Sequence, residues 1–143
     1  TDSSERIEVG KVVTGMRTGS VTAAAIAGAT TLTLADSGGT FLVDQDAAFD
    51  IDLPSPTTGE GCSYLFVVTD VGANNVTITV DGSAATFIGT LHIDGTTVVA
   101  TGSTLTFASG TTLIGDWVEI RSLTTGLYHV RAMSSAAGGI TIA

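Results

Sequence analysis

"FDIDLPSPTTGEGCSYLFVVTDVGANNVTITVDG", residues 49–82, holds three apolar runs separated by turn residues. In the first run Phe49, Ile51 and Leu53 alternate with Asp50 and Asp52, and in the third Val76, Ile78 and Val80 alternate with Thr77 and Thr79. A strand sends successive side chains to opposite faces, so this period of two means one buried face and one wet face. The middle run, Ser63 to Thr69, is apolar almost throughout. That pattern places it in a sheet interior or between packed layers. Pro54 to Gly61 and Gly72 to Asn75 break the runs with the residues that favour turns.

The same pattern extends in both directions. Thr31 to Leu34 alternates, and Trp117 to Arg121 and Leu127 to Arg131 nearly do. Asp94-Gly95 between two strand-like runs is the pair favoured by a type I′ hairpin turn. The Ala-rich stretch Val21 to Ala29 is the one helix candidate; it lacks a polar face and runs straight into a strand, so it is expected to be extended or irregular. Short strands at roughly 8–12 residue spacing predict an all-β domain, an antiparallel β-sandwich or a jelly-roll-like β-barrel, over residues 21–143.

Residues 1–20 differ in character. They hold Arg6, Lys11 and Arg17, three of the five basic residues of the chain, with Val9, Val12, Val13 and Met16 as apolar points. Two readings stand: a terminus without fixed structure, or an extended arm that adds a strand to a neighbour. On the second reading these seven residues are an assembly interface.

Composition narrows the function. Hydrophobic residues make up 43% of the 143 and charged residues 13%, where soluble domains average about 25% charged. Much of the surface is therefore weakly polar, which suits burial in an assembly. The net charge of −9, with no Lys/Arg cluster, disfavours nucleic acid and anionic membranes as partners. No apolar run approaches the ~20 residues that cross a bilayer, and the N-terminal stretch lacks the basic and apolar regions of a secretory leader. Cys62 is the single cysteine; in an apolar strand it is expected to be a small buried hydrophobe.

The chemistry-bearing candidates are few. Asp44, Asp46, Asp50 and Asp52 fall close together, but an EF-hand-type loop counted from Asp44 would put Ala48 and Phe49 where an oxygen ligand and a glycine belong. Asp50 and Asp52 share one face of a strand, the wet one. A glycosidase-type pair on this cluster would need a facing carboxylate on another element, for which Asp70, Asp81 and Glu119 are the candidates, and no complementary base, nucleophile or oxyanion donor is identifiable. His92 and His129 lie in strand patterns without a second ligand at metal spacing. Asn75-Val76-Thr77 matches a glycosylation triplet, but it opens a strand and is taken as chance. There is no phosphate-binding glycine loop and no nucleophile elbow. Trp117, Tyr128 and Phe107 serve equally as a sugar platform or as core. The sequence thus offers no catalytic, cofactor or metal set, and no enzyme activity is expected.

Three stretches together resemble the capsid decoration (cement) proteins of tailed bacteriophages. "ADSGGTFLVDQDAAFDIDLPSPTTG", residues 35–59, has the A-D-S-G turn, a short strand, then an alternating strand ending at L-P-x-P-x-x-G. "CSYLFVV", residues 62–68, is similar to the apolar strand that follows. "GDWVEIRSLTTGLYHVRAMSSAAGGIT", residues 115–141, resembles the G-D-x-V-E-[LI]-x-S ending. Residues 82–112 depart from the pattern. The resemblance implies a homo-oligomer, a trimer, on the outer surface of the virion head, bound to the major capsid protein and stabilising the mature shell without a cofactor. Related patterns also occur in phage tail-fibre and neck proteins, so a receptor- or carbohydrate-binding β module is the alternative.

Overall fold

Alternation sets the strands, and the structure, a computed structural model, bears this out over the residues it describes, 23–55, 61–82 and 85–143. In chain order these are β1 (Ala24–Ile26), β2 (Thr30–Thr31), β3 (Gly39–Asp44), β4 (Phe49–Leu53), β5 (Ser63–Asp70), β6 (Val76–Val80), β7 (Thr86–Ile93), β8 (Thr96–Gly102), β9 (Leu105–Phe107), β10 (Trp117–Thr124), β11 (Leu127–Ser134) and β12 (Ile140–Ile142). The only helical element among the described residues is a 3-10 turn, Leu34–Asp36, anchored by the Asp36 carboxylate accepting from Thr33 N–H and Oγ1 at 2.8 Å each. No helix there is long and apolar enough to cross a membrane. The stretch 23–29 is strand and irregular chain, as its composition predicts. The arm residues Arg6, Val9, Lys11, Val12, Val13, Met16 and Arg17 lie outside the described residues.

The strands form two sheets packed as a β-sandwich. One has seven strands in the order β1-β3-β5-β10-β11-β7-β8; the other has five, β12-β9-β6-β4-β2. The expectation of purely antiparallel pairing is corrected here: both sheets are mixed. From β1 to β7 the chain alternates between sheets at every connection. Each crossing reverses its direction, so two crossings return it parallel to the strand it left. Hence β3 pairs in parallel with both β1 and β5, and β4 with both β2 and β6. Only where the chain stays in one sheet does it make a hairpin, β7-β8 and β10-β11. The β7-β8 turn is the expected one, with positive φ at Asp94 (47°) and Gly95 (74°).

The core lies between the layers. Val43, Phe66, Phe87, Val118, Ile120 and Val130 of the larger sheet meet Ile51, Ile78, Leu105, Phe107 and Ile140 of the smaller, all fully buried. Each such side chain is worth about 1.5–3 kcal/mol of burial. Phe41 stacks on Phe66 at a centroid distance of 5.5 Å. Two tyrosines cross the core with their hydroxyls satisfied: Tyr64 donates to Thr33 O at 2.9 Å and Tyr128 to Pro54 O at 2.7 Å. Burial pushes both phenols above their ordinary range, helped by the neighbouring Cys62. Cys62 is buried against Tyr128 Oη, as a small hydrophobe would be.

Candidate interaction surface

The four clustered aspartates separate in space. Asp50 and Asp52 sit on β4, on the outer face of the smaller sheet, as their spacing predicts. Each is opposite a threonine of β6, and each accepts that hydroxyl: Thr77 to Asp50, and Thr79 to Asp52 at 2.6 Å. The row continues through Thr106 and Thr141. Asp44 and Asp46 instead join Asp70, which sequence spacing alone does not bring near, with carboxylate oxygens within 4.8 Å of one another. Asp46 and Asp70 are exposed, and Asp44 Oδ1 accepts the Asp46 N–H at 2.9 Å. Three such oxygens could ligate a hard cation only with water completing the shell.

One carboxylate that the sequence did not single out is buried. Asp116 is 1% exposed at the mouth of β10. Its oxygens accept from Leu113 N–H (3.0 Å), Ser134 Oγ (3.0 Å) and Ser135 N–H (2.8 Å). It ties the loop before β10 to the end of β11. The turn signal Gly115-Asp116 was legible, but the partners come from 18 residues onward and no local pattern names them.

The outer face of the seven-stranded sheet is different in kind. Register places Leu42, Val67, Trp117 and Met133 side by side across β3, β5, β10 and β11, with His92 next on β7. All are at least partly exposed, Met133 at 48%. Leu113 and Ile114, both exposed, lie in the loop that leads into β10, where Gly115 N–H donates to Val68 O. The next row runs Thr40, Leu65, Glu119, Arg131, Thr90, Val99, and the third Ser63, Arg121, His129, Ile88, Thr101. Arg121 and Glu119 pair at 3.5 Å. A shallow hollow of about 200 Å³ is lined by Thr40, Leu65, Glu119 and Arg121.

Arg121 and Arg131 are the only basic residues after Arg17, and both lie on this face, as do His92 and His129. The opposite face carries Asp50 and Asp52. The five-stranded face is acidic, while the other mixes Arg121 and Arg131 with Glu119 around an apolar row that has Asp44 and Asp70 at the ends of β3 and β5. A face of this composition offers hydrophobic contact with a few directional charges, the make-up of a protein-binding patch. Of the three aromatics considered as a sugar platform, Tyr128 and Phe107 are core, and Trp117 alone reaches the surface. His92 Nδ1 and Thr97 Oγ1, 3.1 Å apart, make an exposed cross-strand contact that steadies the hairpin. Asn75 of the glycosylation triplet is engaged, its Oδ1 accepting from Ser109 N–H at 2.8 Å. Comparison with protein-family models, curated proteins and solved structures gives no match in any of the three.

Proposed function

We propose that this chain is a structural virion protein, a decoration protein that binds the outer surface of a tailed-phage capsid and stabilises the mature shell. The observation that carries this reading is the apolar row Leu42–Val67–Trp117–Met133 on a face that also gathers both arginines of the sandwich. That face meets the major capsid protein; the acidic five-stranded face points to solvent and keeps the free protein soluble. Function follows from mass action. A protein that binds only the assembled shell stabilises it by about 2.7 kcal/mol per site at a hundredfold excess over Kd. A homo-oligomer, a trimer by resemblance, grips several capsomers at once and strengthens the hold further.

The test is co-sedimentation with purified heads stripped of this protein. Trp117→Ala removes the central aromatic of the row and should weaken binding by about 30-fold, the effect of losing an interface anchor worth about 2 kcal/mol. Asp50→Asn on the other face should leave it unchanged. Loss of binding through Asp50→Asn with none through Trp117→Ala would reject this face as the docking surface, and no binding by the unaltered chain would reject the function.

The partly exposed Trp117, with Glu119 two residues on along the same face, also favours a second reading: a receptor- or carbohydrate-binding module of a tail fibre or neck. A glycan array separates the two, since that reading requires a binder whose signal disappears in Trp117→Ala.

A further inference from the structure

The strand β8 ends the seven-stranded sheet, paired with β7 alone. It is seven residues long, Thr96–Gly102, and carries no charge and no proline. Its register with β7 is unbroken by any bulge. The other sheet edges among the described residues are β1, β2 and β12, of two or three residues each. Exposed edges are normally blunted by brevity, charge, proline or a bulge. β8 has none of these, and Val98 and Val99 on it are 41% and 83% exposed.

The hairpin fixes which groups are free. Asp94-Gly95 is a two-residue type I′ turn, so Ile93 and Thr96 exchange both main-chain bonds, and bonded pairs recur at every second residue. Thr96, Val98, Ala100 and Gly102 therefore turn their N–H and C=O toward β7. Thr97, Val99 and Thr101 turn theirs outward.

We propose that this edge pairs antiparallel with the same edge of a second copy of the chain, about a twofold axis at Val99. In that register Val99 faces Val99 of the other molecule, Thr97 faces Thr101, and Val98 faces Ala100. The outward groups at Val99 and at each Thr97–Thr101 pair all find partners, as an isologous contact requires. The edge is self-complementary in side chains as well. Valine meets valine and threonine meets threonine on the outer face, and Ala100 of the second copy covers exposed Val98 on the inner. No charge lies along the seam, so the net charge of each molecule does not oppose it there. The two seven-stranded sheets become one, and the apolar rows of two molecules present a single broad face. The contact joins copies in pairs, so it adds to any threefold contact rather than forming it. It stands whether or not the wider partner is a capsid.

The test is amide hydrogen exchange by NMR on the full chain from about 20 µM to about 1 mM, with sedimentation velocity over the same range. Protection at Thr97, Val99 and Thr101 should rise several-fold with concentration, up to about sevenfold over this range for a monomer–dimer equilibrium, while Val98 and Ala100, already bonded to β7, change little. Val99→Lys puts like charges opposite each other at the axis and should abolish the rise, with dimerisation weakened about tenfold or more. Val99 is too exposed for that change to threaten the core. Concentration-independent protection at the three amides would mean that another segment of the same chain covers the edge, and would overturn the proposal. So would unprotected amides in a chain that is monomeric at 1 mM, or a dimer indifferent to Val99→Lys.

Discussion

At the scale of single residues, several polar groups inside the sandwich are held by specific partners, and these make sharp predictions. Asp116 accepts three hydrogen bonds and is itself almost wholly buried. Asp116→Ala strands the Leu113 and Ser135 backbone N–H donors, while Ser134 Oγ keeps the Ala136 carbonyl, and should cost about 3 kcal/mol in urea unfolding. Tyr64 and Tyr128 are the only tyrosines. Both hold their protons more tightly folded than unfolded, because burial disfavours the phenolate. An unfolded phenol ionises near pH 10. Stability is therefore unaffected by these groups below about pH 10 and falls above it, by up to about 1.4 kcal/mol per pH unit for each tyrosine. Phenolate absorbance in an alkaline titration should appear only as near-UV circular dichroism is lost. A phenolate signal at pH 10 from a folded chain would show that a ring is open to solvent. Residue roles of this kind were half legible. The wet Asp50 and Asp52 follow from period two and the buried Cys62 from its apolar strand, whereas Asp116 and the Asp44–Asp46–Asp70 grouping depend on segments remote in sequence.

At the scale of elements, the strands were legible and their partners were not. Alternation in Phe49–Leu53 and Val76–Val80 says which side chains are buried, and the structure agrees. It does not say to which sheet the next strand goes, because a turn within a sheet and a crossing between sheets both need glycine, proline and small polar residues. Pro54 to Gly61 and Gly72 to Asn75 look alike as punctuation, and both are crossings that make the flanking strands parallel to their neighbours-but-one. Asp94-Gly95 was the exception, since two positive φ angles in succession belong to one hairpin type. A further consequence lies at Gly89, where β7 runs parallel to β11. A methyl group there would overlap the Val130 carbonyl and backbone. Gly89→Ala should lower the melting temperature by about 5–10 °C, a cost of roughly 2 kcal/mol. Gly28→Ala, with nothing within 4 Å of the added carbon, is the matched control and should change it little. Equal effects at the two positions would contradict the tight β7-β11 approach.

At the scale of the whole molecule, low charge and a high apolar content pointed to surface meant for contact, and the fold sets an apolar row on the outer face of the seven-stranded sheet. The near-continuous apolar run Ser63 to Thr69 and the near-alternation of Trp117 to Arg121 were visible in the sequence, but only register across β3, β5, β10 and β11 lines Leu42, Val67, Trp117 and Met133 into a row. Asp50 and Asp52 lie on the other layer with no basic residue on its strands, so the two outer faces differ in character. The central claim is that the apolar, arginine-bearing face of the seven-stranded sheet lies against a viral shell. Electron cryomicroscopy of virions or of reconstituted heads tests it directly. The account predicts ordered density for the sandwich on the outer head surface, with Trp117 against the capsid and Asp50 and Asp52 toward solvent. Density at the tail or neck, or on the head with the aspartate face inward, would contradict it.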